Sequence, residues 1–314
     1  MKKLISIIFQ MLTLNILFSL FAQAENVTVL KERAETGDPQ AQFELASEYH
    51  KNKNYKAAYR WLHDASKKGH PKAQLNLSSL YFNGEGVSQN VTEGVKWLAK
   101  AGDQGERQAQ IHLNILYHQG NQVPRNYKKA AYWAEKAALQ GHAESQYILA
   151  VYYDSGDGVA QSDESSAKWF KEAAEQGHMK AKNRLGMAYL YGIGVEKNIE
   201  SSIKWNTIPA NNGDYYSQSF LVIAYEESPK RDEYKLNYWS KMVAKSKNID
   251  LMFMLSQYYF SINNNYGFEN SYTWAYLMIE NGAKAQKMIE HLTKRLSAEA
   301  IERAENKAKY LRVD

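Results

Sequence analysis

Eight histidines and no cysteine in a chain of 314 residues pose the first chemical question. His70, His142 and His178 each follow a glycine at one recurring position, which Asp38, Glu106 and Asp214 hold elsewhere. Residues at equivalent places on successive repeats lie too far apart to converge on one ion. No His-Glu-x-x-His is present, so neither a metal nor another cofactor is expected, and capping of helix starts explains the exchange with Asp and Glu. Ser165-x-x-Lys168 and Ser201-x-x-Lys204 have the spacing of a lysine-activated serine, but the Ser-Asp-Asn and Lys-Thr-Gly partners are missing. Both pairs stand four and one residues before a tryptophan, so they read as one helix-surface position occurring twice. Gly84-x-Gly86, Gly156-x-Gly158 and Gly192-x-Gly194 fall short of a dinucleotide cradle, which needs a preceding strand and a third glycine. Zero cysteines exclude disulfides, thiolate chemistry and a lipidated N-terminal cysteine.

These residues recur because the whole chain does. Trp61, Trp97, Trp133, Trp169 and Trp205 are each 36 residues apart, and Trp239 and Trp274 follow at 34 and 35. Gly37, Gly69, Gly105, Gly141, Gly177 and Gly213 run in phase with them. Four residues beyond each glycine stands Ala41, Ala73, Ala109, Ser145, Ala181 or Ser217. A further four bring Leu45, Leu77, Leu113, Leu149, Leu185 and Leu221, and four more Tyr49, Tyr81, Tyr117, Tyr153, Tyr189 and Tyr225. Steps of four place all three rows on one face of a helix, the A helix of each repeat.

Asp38-Pro39 and His70-Pro71 give that helix a cap followed by a proline in the first turn. After a short glycine loop a second, B helix opens at Asn54, Asn90, Asn126, Ser162, Asn198 or Asp232, seven residues before each tryptophan. The next repeat's glycine ends it. One such hairpin is too small to bury its own Trp, Leu and Tyr, so neighbours must stack into a continuous core, and the aromatic rows read as core before they read as a ligand platform.

Gly-His-x-x-Ala-x-x-x-Leu, a small residue and Tyr, then Gly-x-Gly-Val, then Lys-Trp-x-x-x-Ala: this pattern resembles the Sel1-like repeat, a relative of the tetratricopeptide repeat. The resemblance covers about residues 36 to 282, most fully from Gly69 to Trp239. The first repeat lacks the glycine loop, and Gly120-Asn121-Gln122-Val123 keeps one glycine of two. Pro209 stands where the alanine after Trp205 is expected, so the B helix there is expected to bend or end early. What the resemblance implies is an all-α fold, a right-handed α/α superhelical solenoid of about seven hairpins. Residues 25–36 read as an N-terminal half repeat, 37–282 as the array and 283–314 as a C-terminal capping helix pair. The cap would start at Ser297 and bury Leu296, Ile301, Ala304, Ala308 and Leu311.

Residues 1–24 have the pattern of a cleaved export signal: Lys2 and Lys3, a mostly apolar run, then Ala22-Gln23-Ala24, with an uncleaved membrane anchor as the alternative reading. Its removal takes two lysines and no acid, so the formal charge falls from +5 to +3. No basic, aromatic-interleaved stripe is present, and nucleic acid is not an expected partner. Periplasm is the expected location, secretion or the cell surface the alternative, and no later segment is apolar enough for stable membrane insertion.

Function must then come from residues that differ between repeats on a constant scaffold. By analogy with tetratricopeptide arrays, the inner faces of the A helices line a concave groove for a protein or peptide partner. One row holds Leu75, Ile111 and Tyr147, a second Ser79, Ile115, Val151 and Met187, and a third Phe82, His118, Asp154 and Leu190. The reading is a non-enzymatic envelope scaffold or adaptor. The alternatives are an immunity protein neutralising a secreted toxin and, from another class, a cell-wall or β-lactam-recognising enzyme. The sequence leaves the partner's identity and the oligomeric state open.

Overall fold

The computed structural model describes residues 28–312. The export-signal reading of 1–24 and the start of the half repeat lie outside the described residues. Among the described residues every regular element is a helix, and the chain divides after Gly141 into two compact units.

In the first unit the chain is helical over 28–35 (α1). Three hairpins follow: α2 (Pro39–Lys51) with α3 (Tyr55–Lys67), α4 (Pro71–Asn83) with α5 (Val91–Asp103), and α6 (Arg107–Gln119) with α7 (Tyr127–Leu139). Each helix from α2 to α7 packs on the next, the arrangement of an α/α solenoid. The even-numbered helices are the A helices and the odd-numbered the B helices.

The predicted caps are in place. The Asp38 carboxylate accepts from the Gln40 N–H at 2.9 Å, and His70 Nδ1 accepts from the Ala73 N–H at 3.1 Å. Asn54, Asn90 and Asn126 cap α3, α5 and α7. Leu45, Leu77 and Leu113, with Ala41, Ala73 and Ala109, are all at most 2% exposed. Trp97 and Trp133 are buried among them while Trp61 is half-buried, so the periodic tryptophan is a core residue here.

A buried ladder of glutamines, unmarked in the sequence reading, sets the spacing of the repeats. The Nε2 groups of Gln42, Gln74 and Gln110 donate to the carbonyls of Ala34, Ser66 and Gly102 at 2.8–3.1 Å. Gln104 and Gln140 donate in turn to the Oε1 atoms of Gln74 and Gln110, both at 2.7 Å. Buried amides are costly unless paired, so each bond penalises a slip between hairpins. Lys68 takes the donor's place in the first repeat but bonds Gly37 O, which leaves Gln42 Oε1 without a partner.

The glycine loops do more than permit a turn. At Gly86 φ is +71°, and a Cβ there would run into the Tyr55 carbonyl at the start of α3. The loop therefore touches the preceding repeat, which only glycine allows.

The second unit opens with α8 (Ala143–Ser155), α9 (Asp163–Glu175), α10 (Met179–Tyr191) and α11 (Ile199–Asn211). It continues with α12 (Tyr215–Glu227), α13 (Glu233–Lys245), α14 (Ile249–Ser261) and α15 (Asn265–Glu280). The expected capping pair is α16 (Gln286–Thr293) and α17 (Ala298–Arg312). Consecutive helices again pack in order, and α17 covers α15 and α13 with Ala304, Ala308 and Leu311 buried. Ser297 Oγ accepts from the Ala300 N–H at 3.3 Å, as a cap should.

The expectation that Pro209 would end its helix early is corrected: α11 has 13 residues, the same as α9 and α10. Pro209 sits in the last turn, where a missing N–H forfeits one bond. Its own carbonyl is satisfied by the Asn212 and Asp214 N–H groups at 3.0 Å.

From α12 onward the repeat is kept in outline and changed in substance. Every residue from Ser217 to Tyr225 is buried, and α12 contributes to a continuous core with Trp239, Leu251, Leu255, Tyr259 and Trp274. Lys247 takes the place of the terminating glycine and holds the left-handed backbone at φ +53°.

Candidate functional site

The ten residues singled out for a partner-binding face fall five to each unit. In the first unit Leu75, Phe82 and Ile111 are half-buried, Ile115 is 41% exposed and His118 is exposed. In the second, Tyr147, Val151, Asp154 and Met187 are half-buried. Leu190 is corrected: it is fully buried in the core cluster that also holds Phe220 and Leu221, and has no surface to offer. Its position is closed because α12 is apolar and packs on α10.

Tyr147 is also committed within the protein. Its ring stacks on His178 with centroids 4.6 Å apart and leans on Phe170 at 5.7 Å. Phe43 makes the same stack on His70 in the first unit, at 4.9 Å. The first row thus braces the capping histidine of the next repeat. Asp154 lies 3.9 Å from Arg184, and His118 meets the edge of Tyr127 at 5.5 Å.

Phe82 and Ile115 do come together. Phe82 rests against Gly94 of α5, where a Cβ would come within 2.9 Å of the ring. With Leu98, Ile115 and Leu116 the ring forms the apolar walls of a recess of about 320 Å³ between α4, α5 and α6. His112, Gln119, Asn121 and Gln122 line it as well. A small apolar concavity edged by a few polar groups is the usual form of a site that accepts one side chain of a ligand. The sequence reading found two of its walls and missed the rest. The available signal was the third glycine loop, which departs from Gly-x-Gly at Asn121-Gln122 and so places two amides at this spot.

The residues that raised catalytic readings have structural partners. His70 Nδ1 accepts the Ala73 N–H while Nε2 lies 2.9 Å from Gln40 Oε1, and burial holds its pKa below the usual imidazole value. His178 caps Ala181 in the same way, with Nε2 3.0 Å from Glu144. Ser165 Oγ accepts from Ser162 Oγ at 3.0 Å, while Lys168 lies beside the Trp169 ring. Lys204 likewise lies beside Trp205. Among the described residues no cluster of three or more His, Asp or Glu side chains is placed to hold a metal ion.

A polar cluster in the second unit had no counterpart in the sequence reading. Glu226, with a side chain 6% exposed, accepts from Tyr259 Oη at 2.9 Å, Tyr266 Oη at 2.8 Å and Arg231 Nη1 at 2.6 Å. Arg231 also meets Glu233. Burial first, then the Glu226 charge, raises the Tyr259 pKa well above its ordinary value, and burial pushes Tyr266 up to about 12. Both phenols therefore stay protonated and donate. The carboxylate binds the α12–α13 loop to the α14–α15 hairpin, which is a clasp in place of the glycine contact used at Gly86.

The fold and this arrangement define a helical-repeat protein with a recessed face and no assembled catalytic group among the described residues. A Sel1 repeat model matches residues 39–70, 71–106, 108–142, 143–178 and 180–205, more than half of the chain, and the chain belongs to the Sel1 repeat family. Among solved structures it is similar to a protective antigen present in uropathogenic Escherichia coli strains with an SLR fold. That similarity is at 27% identity and TM-score 0.54, covering 90% of this chain and 71% of the other. It is also similar to a Sel1 repeat protein from Oxalobacter formigenes at 30% identity and TM-score 0.54, covering 69% of this chain and 90% of the other. No curated protein matches the chain. Proteins built from this repeat are in general non-enzymatic helical scaffolds, suited to protein partners. No described helix is long and apolar enough to cross a membrane.

Proposed function

We propose that this protein is an exported, non-enzymatic scaffold of the bacterial envelope that binds another protein through the A-helix face of its first unit. The observation that carries this reading is the recess between Phe82, Leu98 and Ile115. It is apolar and partly exposed, and it is built from residues that differ between repeats while the rows beneath them stay constant. Holding an exposed apolar concavity open costs hydrophobic free energy unless something covers it. Export rests on the pattern of residues 1–24. It accords with the likeness to a protective antigen, since such an antigen has to be reachable by antibodies.

Affinity capture from intact envelopes, comparing the natural protein with Ile115→Asp, tests the binding face. Ile115 is exposed enough for the change to leave the fold intact, which circular dichroism checks. A partner recovered by the natural protein and lost by the variant is the expected result, and an unchanged set of captured proteins rejects the site. N-terminal sequencing of the protein recovered from the periplasm tests export: a chain beginning at Glu25 is expected, and an intact Met1 in the cytoplasm rejects it.

A further inference from the structure

Resting on the binding face just proposed, we infer that its occupant is an acidic, extended peptide segment of the partner, which inserts one aromatic or branched apolar side chain between Phe82 and Ile115.

The anchor follows from the shape and lining of the recess. About 320 Å³ bounded by Phe82, Leu98, Ile115 and Leu116 suits one large side chain, and the walls offer it no charged group. Aromatic anchors seated in such pockets carry much of the free energy of peptide recognition.

The extended backbone follows from the lip. The side-chain amides of Gln119, Asn121 and Gln122 border the recess and make no hydrogen bond to protein groups among the described residues. Each offers both donors and an acceptor, the complement that a peptide N–H and C=O on either side of an inserted anchor require. A helical segment would have those groups already paired within itself and would gain little from them.

The acidic character follows from charge. Helices α4 and α6 carry Lys72 and Arg107 and no carboxylate, α5 balances Glu93 and Asp103 with Lys96 and Lys100, and Glu106 is taken up in capping α6. Arg125 holds its guanidinium 3.3 Å from the Gln119 carbonyl, at the lip itself. The acid that follows α4, Glu85, lies 3.3 Å from His50 and 3.4 Å from Asn83 Nδ2. A carboxylate-bearing segment therefore meets the Arg125 guanidinium and the amides at this edge, while a lysine-rich one meets like charge at Arg125.

Fluorescence anisotropy with three labelled synthetic peptides and the purified protein tests the inference. The first sets one tryptophan among aspartates, the second sets it among lysines, and the third is the first with alanine in place of tryptophan. The acidic tryptophan peptide is expected to bind at least about tenfold more tightly than either of the others and to weaken as salt rises. Ile115→Asp is expected to abolish that binding, and Arg125→Glu to shrink the preference for the acidic peptide or reverse it. Equal binding of the acidic and basic peptides, or acidic binding that survives Ile115→Asp, overturns the inference. If no peptide binds while Ile115→Asp still loses an envelope partner, the face stands and its occupant is not an acidic peptide. If Ile115→Asp loses neither peptide nor partner, the face itself is rejected.

Discussion

Ile115 and Ile223 hold the same place in their repeats, ten residues after Gly105 and Gly213, and the first is 41% exposed while the second is completely buried. The difference sets in at α12, since Tyr147, Val151, Asp154 and Met187 of the second unit are still half-buried. On the A-helix face, Leu75, Ile111 and Phe82 in the first unit are reachable from solvent. In the second unit Leu190, Ser219 and Ile223 are closed over, and Glu226 is consumed by its tyrosine and arginine partners. The two units place one repeat in two different surroundings. In the first unit the A-helix face stays open to solvent at Ile115 and partly open at Leu75, Phe82 and Ile111. Near the C-terminal end of the second unit the same side is turned inward, a larger core forms, and exposed surface is exchanged for buried packing.

The sharpest way to break this comparison is to delete the same side chain in both places. Ile223→Ala is expected to cost about 3 kcal/mol, the usual penalty for a cavity in a close-packed core, and Ile115→Ala about 0.5 kcal/mol. Hydrogen exchange of α12 and α14 against α4 and α6 reads the two losses separately. Similar losses at both sites would mean that the first unit's face is no more open than the second's.

Next in size is the clasp. Glu226→Gln removes the charge that binds two phenols and a guanidinium, and about 2 kcal/mol of destabilisation is expected, confined to α12–α15. Urea denaturation followed by hydrogen exchange measures it. Protection lost equally in α2–α6 would show that the clasp does not belong to the second unit alone.

Lys247→Gly should act in the opposite direction. The backbone there is left-handed at φ +53°, where a side chain is strained and glycine is not, so about 1 kcal/mol of stabilisation is expected in a thermal melt. No gain would mean that the lysine side chain contributes enough elsewhere to offset the strain.

The smallest effect is on pH, and it should mark the first unit. Burial is the main cause that lowers the pKa values of both His63 and His70 from 6.5, so above that value both are neutral in the folded and the unfolded chain. As pH falls below about 6.5 the unfolded chain binds protons that the folded one resists. Stability of the first unit is therefore complete above that value and declines through the lowered folded pKa values. His70→Asn keeps a capping oxygen without a titrating ring and should flatten the decline. Melts at about pH 7.5 and pH 5.5 compare the two proteins, and an unflattened slope would reject His70 as a contributor.

Most of the scaffold was legible in the sequence because it is local and repeated. Caps at Asn54, Asn90 and Asn126 and the Ala–Leu–Tyr rows depend on contacts within one hairpin, which spacing alone reveals. The glutamine ladder was legible in principle: Gln42, Gln74, Gln110, Gln146 and Gln218 all stand five residues after the glycine. It was missed because glutamine carries no strong expectation of burial. Leu190 was misplaced for a different reason. Its own repeat is regular, and what buries it is the altered α12 of the next one.

The sequence by itself determined the repeat, its length, the ends of its helices and which residues meet across each hairpin, since these follow from a fixed period and from hydrogen bonds between near neighbours. Tertiary structure alone decided which faces stay open. Exposure of an A helix depends on the bulk of the next repeat, on a glycine such as Gly94 that lets Phe82 lie flat, and on a buried charge such as Glu226 finding donors more than thirty residues away. None of these is carried by the period, and together they separate a unit with a recess from a unit with a clasp.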